Sequence, residues 1–199
     1  MGRPKDADPE QTRVKILDAS EDEFAEHGFH GTRMVAIAKR AGVTHGLLHY
    51  YFDSKERLYE EVVGRLFQRH LRLFEQLGAG GALISPRDVV LQSFDLFWEY
   101  PNQVRIMLWE MAAGDGQLEG AMKDFYDGMA GALATLPQKA PNAEPGQDPR
   151  DVYVSILGAL VVYFFRDPLI NRLFGDKRFT EADRKRRREH MAALLDLLL

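Results

Sequence analysis

The stretch that most constrains this chain is residues 32–55, TRMVAIAKRAGVTHGLLHYYFDSK. Its first ten residues place apolar side chains at the i, i+3, i+4 and i+7 positions of one helical face: Met34, Ile37, Ala38 and Ala41. This spacing predicts a short amphipathic helix over residues 32–41. Gly42 follows the last apolar position, where a helix end favours a residue that adopts a left-handed backbone at low cost. A tight turn is therefore predicted directly after this helix.

A second short helix is predicted after the turn, because Thr44 can cap its N-terminus. Three residues can anchor its inner side: Leu48, Tyr51 and Phe52. Five others have no apolar face to bury, and these are His45, Gly46, Leu47, His49 and Tyr50. Two short helices joined by a tight turn are typical of a helix-turn-helix, whose second helix lies in the major groove of DNA. We therefore predict a helix-turn-helix at residues 33–52.

The segment around this motif, residues 16–62, closely resembles the N-terminal domain of TetR-family transcriptional regulators. The likeness is strongest in EFAEHGFHGT, IAKRAGVT and YYFDSKERL, and it covers only the first third of the chain. It implies a three-helix DNA-binding domain at residues 10–70. It also implies a larger C-terminal helical bundle at residues 71–199 that binds an effector and forms a dimer. The expected fold class is therefore all-α.

The resemblance also implies which residues contact DNA. Thr32 and Arg33 match family positions that contact phosphates, although Thr32 can equally serve as a helix cap. His45 and Leu47 match positions that reach base edges, and Gly46 allows close approach of the backbone. Candidates for backbone contacts of the DNA are Tyr50, Tyr51 and Lys55, with Tyr51 equally suited to anchor the domain. The full predicted set is Thr32, Arg33, Thr44, His45, Gly46, Leu47, His49, Tyr50, Tyr51 and Lys55.

The recognition helix departs from the family pattern at two positions. Relatives commonly carry Lys or Arg near His45 and Tyr near His49, so the base preference of a relative does not transfer to this chain. Leu47 favours apolar contact with a thymine methyl, and His45 can donate to a purine N7 or O6. The two histidines are also spaced i, i+4, as a metal site would need, but no third ligand is near in the sequence. A metal site is therefore not predicted.

Composition sets the remaining bounds. The 199 residues are 45% hydrophobic and carry a formal net charge of −4, so phosphate-binding cations must be concentrated on one surface. The chain has no Cys, and its start lacks the apolar core of a secretory signal. No apolar run approaches the length of a membrane span. A soluble protein in the cytoplasm is expected, with no membrane partner and no cofactor.

The rest of the chain predicts further helices. A long helix follows a cap at Asp53 or Ser54 and runs to Gly78, and helices are predicted from residue 85 to 100 and from Pro101 to about residue 114. Another is marked by Leu118, Met122, Phe125, Met129 and Leu133, before a Pro-rich loop at residues 137–149. The GAGG segment at residues 78–81 is interpreted as a hinge. A basic N-terminal arm occupies residues 2–5.

The middle helices are rich in Met and aromatic residues, which can fill a core or line an apolar cavity between helices. Because TetR-like proteins bind small effectors in this domain, we predict an apolar or aromatic ligand, with Glu99 as a further polar anchor. The candidate ligand residues are His70, Phe94, Phe97, Trp98, Arg105, Met107, Trp109, Glu110, Met122, Phe125 and Met129.

Two C-terminal segments are predicted to form a dimer. Residues 151–165, DVYVSILGALVVYFF, are apolar around most of a helix, which requires cover on several faces. The last helix begins with a capping box at Thr180 and Asp183, carries a basic run at residues 184–188, and ends in MAALLDLLL. That run is interpreted as a solvated face, with a second nucleic-acid patch as the alternative. The predicted interface comprises Val154, Leu157, Gly158, Val161, Val162, Phe165, Met191, Leu194, Leu195 and Leu198.

The sequence thus predicts a DNA-binding transcriptional regulator, a ligand-responsive homodimeric repressor of a near-palindromic operator. Two alternatives come from other classes of protein. A helical protein-interaction module would bind without sequence preference or steep salt dependence. An enzyme would need a paired nucleophile and base in the second domain. The sequence contains no GxSxG, P-loop or GxGxxG motif, so it gives no support to an enzyme.

Overall fold

A computed structural model describes residues 8–78, 85–113, 149–164, 172 and 180–198 of the protein. Within these residues the chain forms eight α-helices and one short 3-10 helix, with no strand, which confirms the predicted all-α class. The α-helices are α1 Pro9–Gly31, α2 Met34–Ala41, α3 His45–Tyr51, α4 Lys55–Gly78, α5 Pro86–Glu99, α6 Pro101–Ala113, α7 Pro149–Val161 and α8 Glu181–Leu198, and the 3-10 helix is Val162–Phe164. None of the described helices is long and apolar enough to cross a membrane.

Local capping fixes where the helices begin. The α1 helix starts at Pro9, because the Asp8 side chain accepts a hydrogen bond from the Glu10 backbone N–H at 3.0 Å. The α4 helix is capped by Ser54, whose Oγ accepts from the Arg57 N–H at 3.2 Å, in agreement with the prediction. Gly28 interrupts α1 with φ 67° and ψ 179°.

The first hydrophobic core is formed by the four helices α1, α2, α3 and α4, and it also includes Ile106 of α6. Phe24 and Tyr59 meet edge to face at its centre, with ring centroids 4.6 Å apart. At its rim, the Arg69 guanidinium pairs with the Glu21 carboxylate at 3.1 Å, and both side chains are largely buried. The largest side chains of this core that are fully buried are Ile16, Phe24, Ile37, Leu48, Phe52, Leu58, Tyr59 and Ile106.

The second core lies among α5, α6, α7, the 3-10 helix and α8. Its fully buried aromatic residues are Phe94 and Phe164, whose ring centroids are 5.7 Å apart. Phe97 packs edge to face on Phe164 at 6.0 Å. The other buried members are Leu91, Val104, Ile156, Leu160, Val161, Tyr163, Met191 and Leu195.

The α6 helix contributes to both cores. Val104 is buried in the second core, whereas Ile106, two residues later, is buried in the first. On the surface, the Asn102 amide donates to the Asp22 carboxylate of α1 at 2.7 Å. The DNA-binding domain predicted at residues 10–70 is therefore packed directly against a helix of the segment predicted as the second domain. The boundary at residue 70 stays a prediction.

Several predicted features lie outside the described residues. These are the basic arm at residues 2–5, most of the hinge at residues 78–81, the Pro-rich loop at residues 137–149 except Pro149, the helix around residues 118–133 with Met122, Phe125 and Met129, and Phe165 of the dimer set. Pro149 is the first residue of α7 and not part of a loop.

Candidate functional site

The turn between α2 and α3 has the geometry that the sequence predicts. Gly42 adopts the left-handed conformation, with φ 68° and ψ 29°. This backbone reversal lets the Val43 N–H donate to the Ala38 carbonyl at 3.0 Å. Thr44 then caps α3, since its hydroxyl oxygen accepts from the Leu47 N–H at 3.2 Å. The helix-turn-helix is thus held by local hydrogen bonds as well as by packing.

The α3 helix separates a buried side from an exposed side. Leu48 is fully buried and Phe52 is 1% exposed, so both anchor the helix in the first core as predicted. Tyr51 is partly buried against that core. The opposite side is exposed, including the Tyr50 side chain at 82% exposure. The structure therefore brings five predicted contact residues together on one open surface: His45, Gly46, Leu47, His49 and Tyr50.

Thr32 occupies a different position from the one predicted. The α2 helix begins at Met34, so Arg33 takes the N-cap position without a side-chain hydrogen bond. The Thr32 side chain is 2% exposed, and its hydroxyl lies 3.0 Å from the Glu23 carbonyl and 2.8 Å from the Gly28 carbonyl. Both acceptors belong to α1, at the point where Gly28 breaks the helix. This arrangement does not fit a hydroxyl that contacts phosphate or caps α2; Thr32 instead closes the end of α1.

The nearby cations differ in how far they are engaged within the protein. Arg33 is exposed at the start of α2, beside backbone N–H groups that attract anions. Arg40 is held on α1 by Glu23 at 3.0 Å and by Glu26 at 2.9 Å, and its hydrogen bond with Glu26 raises its pKa. Lys55 lies with its Nζ 4.4 Å from the centre of the Phe29 ring, and burial lowers its pKa. Of the two predicted cationic contacts, Arg33 is the more available to phosphate.

The two histidines of α3 lie side by side, with ring centroids 4.5 Å apart. His49 Nδ1 is 3.3 Å from the Asp53 carbonyl oxygen, which can only accept, so Nδ1 carries the proton. Among the described residues, no three His, Cys, Asp or Glu side chains are grouped as a metal site would require.

The described members of the predicted ligand set take part in several different contacts. Phe94 is fully buried and Phe97 is 3% exposed, so both fill the second core. Trp98 and Met107 are half-buried and pack against that core. The Arg105 guanidinium donates to the Asn102 side-chain oxygen at 2.9 Å, within α6. Glu99, at the end of α5, is exposed.

Two residues of the ligand set belong to another contact. The Trp109 Nε1–H donates to the Ala25 carbonyl of α1 at 3.3 Å, and the Trp109 ring lies over Gly28. The Glu110 carboxylate accepts from the Tyr59 hydroxyl of α4. Trp109 and Glu110 therefore hold α6 against the helix-turn-helix domain, and their role as ligand residues stays a prediction. Sequence periodicity gave no sign of this contact, because the partners are about 50 to 80 residues apart in the chain.

His70 of α4 is a titratable group whose pKa is strongly shifted by burial. Its side chain is 4% exposed, and its ring lies 5.2 Å from the Phe97 ring. Burial disfavours the charged imidazolium and lowers the pKa of His70 to about 4. Gln103 donates its side-chain N–H to His70 Nδ1, so that nitrogen is the acceptor of a neutral ring.

This burial predicts acid sensitivity. The unfolded chain protonates His70 near its usual pKa of about 6.5, whereas the folded chain does so only near 4. The free energy of unfolding should therefore be unaffected by His70 above pH 6.5. It should fall by up to about 3 kcal/mol as the pH drops from 6.5 to 4. Urea unfolding at several pH values measures this slope, and His70→Asn should flatten it; an equal slope in both proteins would contradict the assignment.

The sequence matches a known family over the same helices. Residues 16–62 match the family model described as bacterial regulatory proteins, tetR family. The HTH-type transcriptional regulator RutR of Escherichia coli K12 is 34% identical over 126 residues, which cover 60% of this chain and 58% of RutR. The regulator UidR of the same strain is 37% identical over 65 residues, or 33% of each chain. This chain thus aligns with less than two thirds of the length of these curated relatives.

The fold match extends over nearly the whole chain. A transcriptional regulator of Streptomyces coelicolor superposes with a TM-score of 0.65 and 27% identity, covering 93% of this chain and 96% of that one. A regulator of Aquifex aeolicus gives a TM-score of 0.66 at 21% identity, covering 94% and 99%. The chain is thus similar to TetR-family regulators in sequence at residues 16–62 and in fold along nearly its whole length. The predicted family resemblance is therefore confirmed.

The predicted dimer set divides into core and surface residues. Val161, Met191 and Leu195 are between 1% and 3% exposed and pack in the second core, so their prediction as interface residues is corrected. Val154 and Val162 are 65% and 49% exposed. The remaining described members, Leu157, Gly158, Leu194 and Leu198, are half-buried.

Val154 is exposed on α7, and Val162 is exposed at the start of the 3-10 helix that follows it. Gly158, one turn after Val154, is half-buried, and a Cβ built on it meets no atom within 4 Å. On α8, Leu197 is 75% exposed, a residue that the sequence prediction missed. The two helices are joined by the Arg187 guanidinium, which donates to the Ala159 carbonyl at 2.5 Å. The basic run on α8 is therefore partly engaged in internal contacts.

Proposed function

We propose that this protein is a homodimeric, ligand-responsive transcriptional repressor that binds a near-palindromic operator through α2 and α3. The observation that carries this proposal is the two-sided α3 helix. Leu48 and Phe52 fix one side in the core, while His45, Leu47 and Tyr50 are left exposed on the other. A short helix that is firmly anchored on one side and open on the other suits insertion into the major groove.

Different contacts have different tasks in this proposal. Arg33 and the adjacent α2 N-terminus bind a phosphate and set the position of the domain on the duplex. Leu47 contacts a thymine methyl, and His45 donates to a purine N7 or O6. Phosphate contacts supply affinity without sequence preference, whereas the α3 side chains supply specificity.

The dimer sets the spacing of the two recognition helices. The exposed apolar residues of α7 and α8 support pairing of these helices with their copies in a second chain. Two recognition helices roughly 34 to 36 Å apart can enter successive major grooves on one face of the DNA. A near-palindromic operator follows from the two-fold symmetry of such a dimer.

Ligand response requires a connection between the two ends of the protein. The α4 helix begins beside α3 and carries His70 to the side of the second core, and α6 contacts both cores. A ligand that binds one arrangement of these helices more tightly than another will shift the DNA-binding equilibrium. A solved neighbour with 19% identity and a TM-score of 0.62, FadR of Bacillus subtilis, was crystallised with stearoyl-CoA. This precedent supports an effector that carries a large apolar part.

The direct test is fluorescence anisotropy with DNA from upstream of the protein's own gene, compared with scrambled DNA at several salt concentrations. We expect specific binding that weakens steeply with salt. Arg33→Ala should weaken binding to both DNAs and reduce the salt slope by about one for each protomer. Lys185→Ala, which removes an exposed charge on α8, is the matched control and should leave the slope unchanged. Equal affinity for both DNAs would favour the interaction-module alternative.

Gly46→Ala separates DNA contact from folding. In the free protein a Cβ at Gly46 meets no atom within 4 Å, so alanine should stabilise α3 by up to about 1 kcal/mol. If the α3 backbone approaches DNA closely at this point, the same methyl group should weaken operator binding by about tenfold or more. The measurement pairs thermal unfolding with operator titration. A variant that is more stable and binds the operator normally would remove Gly46 from the contact set.

A further inference from the structure

The amide of Gln103 is buried between α4 and α6 with its orientation fixed by its neighbours. The side chain is 2% exposed. Its nitrogen Nε2 lies 3.3 Å from the Leu66 carbonyl oxygen, which can only accept a hydrogen bond. The nitrogen, and not the oxygen, must therefore face Leu66. The second hydrogen of Nε2 is donated to His70 Nδ1.

The oxygen of the same amide is left without a hydrogen-bond partner. Gln103 Oε1 is fully inaccessible to solvent and receives no hydrogen bond, although both hydrogens of the amide are engaged. A buried carbonyl oxygen without a donor lowers stability and is rare in folded proteins. Such an atom calls for a donor that the chain itself does not supply.

The surroundings of this oxygen select the kind of donor. An anion would be repelled by a carbonyl oxygen and would find both amide hydrogens already engaged. Gln103 is hydrogen-bonded to no carboxylate among the described residues that would balance a cation, and burial already suppresses the positive charge of the adjacent His70. The Phe97 ring stands 5.2 Å from the His70 ring and offers an apolar aromatic neighbour. An uncharged donor on an apolar body satisfies each of these conditions.

Gln103 also lies where a bound molecule can influence the DNA-binding domain. On α6 it shares one helical face with Ile106 and Glu110, at the i, i+3 and i+7 positions. Ile106 is buried in the first core, and Glu110 accepts the Tyr59 hydroxyl of α4. A contact at Gln103 therefore bears on the same helix face that holds α6 against the helix-turn-helix domain.

We propose that Gln103 Oε1 accepts a hydrogen bond from the polar end of the effector, and that this end is an uncharged hydroxyl or amide-type N–H on an apolar or aromatic body. This inference rests on the proposed ligand response and adds the chemical class of the ligand. Gln103 was absent from the residues that the sequence singled out, because an isolated Gln in an amphipathic helix carries no pattern.

The test uses two probes that differ by one donor, indole and 1-methylindole, titrated into the full-length protein by calorimetry or ligand-observed NMR. We expect indole to bind about tenfold more tightly than 1-methylindole, since only indole can donate to Gln103 Oε1. Benzoate, a planar anion, should not bind at this position. In Gln103→Met, which has similar volume and no amide, the two indoles should bind within twofold of each other.

Gln92→Met, the same substitution at an exposed position of α5, is the matched control and should keep the tenfold preference. If Gln103→Met does not fold, the Gln103 side-chain amide signals of the wild-type protein serve instead and should move with indole but not with 1-methylindole. Equal affinity of the two probes for the wild-type protein would overturn the proposal. So would a preference that survives in Gln103→Met, or no binding of either probe up to millimolar concentration.

Operator binding is measured on the same samples. Absence of specific DNA binding with an intact donor preference would count against the proposed regulator and leave the Gln103 site standing. Specific DNA binding without a donor preference would count against the Gln103 site and leave the proposed regulator standing.

Discussion

Val154→Asp is expected to convert a stable dimer into a monomer without unfolding the chain. The Val154 side chain is 65% exposed on α7, so a carboxylate there remains solvated in the separate subunit. In a two-fold dimer formed through this side of α7, two carboxylates would be buried in an apolar contact. At about 2 kcal/mol or more for each buried charge, the dimer dissociation constant should rise by at least about 1,000-fold. Analytical ultracentrifugation measures the change directly.

Leu71→Asp provides the matched control for this variant. Leu71 is 50% exposed on α4, a helix that is not part of the proposed dimer surface, so the same charge should leave the dimer intact. Far-ultraviolet circular dichroism should be unchanged in both variants. Because one helix-turn-helix reaches only a single half-site, Val154→Asp should also abolish tight operator binding. A wild-type protein that sediments as a monomer at micromolar concentration would show that the dimer proposal is wrong.

The helix-turn-helix could be predicted from sequence because its determinants are local. Gly42 and Thr44 act within a few residues of their own positions, and the spacing of apolar residues in α2 identifies its buried face. The resemblance to a known family reinforced these local signals. The position of Thr32 could not be predicted in this way, because its hydroxyl is directed by carbonyl groups of α1. The arrangement of those groups depends on the unusual backbone of Gly28.

The C-terminal predictions were less accurate because apolar character does not distinguish a core from an interface. Val161 and Val162 are adjacent and equally apolar, yet the first is 3% exposed and the second 49%. The helix periodicity of α7 gives way to a 3-10 helix at this point, so a face extrapolated from α7 fails. Met191 and Leu195 likewise pair with α5 and α7 partners that only the tertiary structure identifies.

Gly28→Ala is expected to destabilise the protein strongly. With φ 67° and ψ 179°, Gly28 occupies a region of backbone conformation that is essentially restricted to glycine. A Cβ at this residue would also lie 3.0 Å from Trp109 Cδ2 and 3.2 Å from Cε3, closer than packed carbon atoms tolerate. Backbone strain and overpacking together should lower the free energy of unfolding by about 2 to 4 kcal/mol. For a chain of this length, the melting temperature should fall by roughly 5 to 15 °C.

Gly64→Ala is the matched control, because it replaces glycine by alanine at a position without backbone strain or crowding. Gly64 lies inside α4, and a Cβ there meets no atom within 4 Å, so alanine should raise the free energy of unfolding by about 0.5 to 1 kcal/mol. Differential scanning calorimetry should therefore show that Gly28→Ala lowers the stability of the protein and that Gly64→Ala raises it. Since Trp109 holds α6 against α1 at Gly28, a Gly28→Ala protein with wild-type stability would mean that this contact between α6 and the helix-turn-helix domain is not formed in solution.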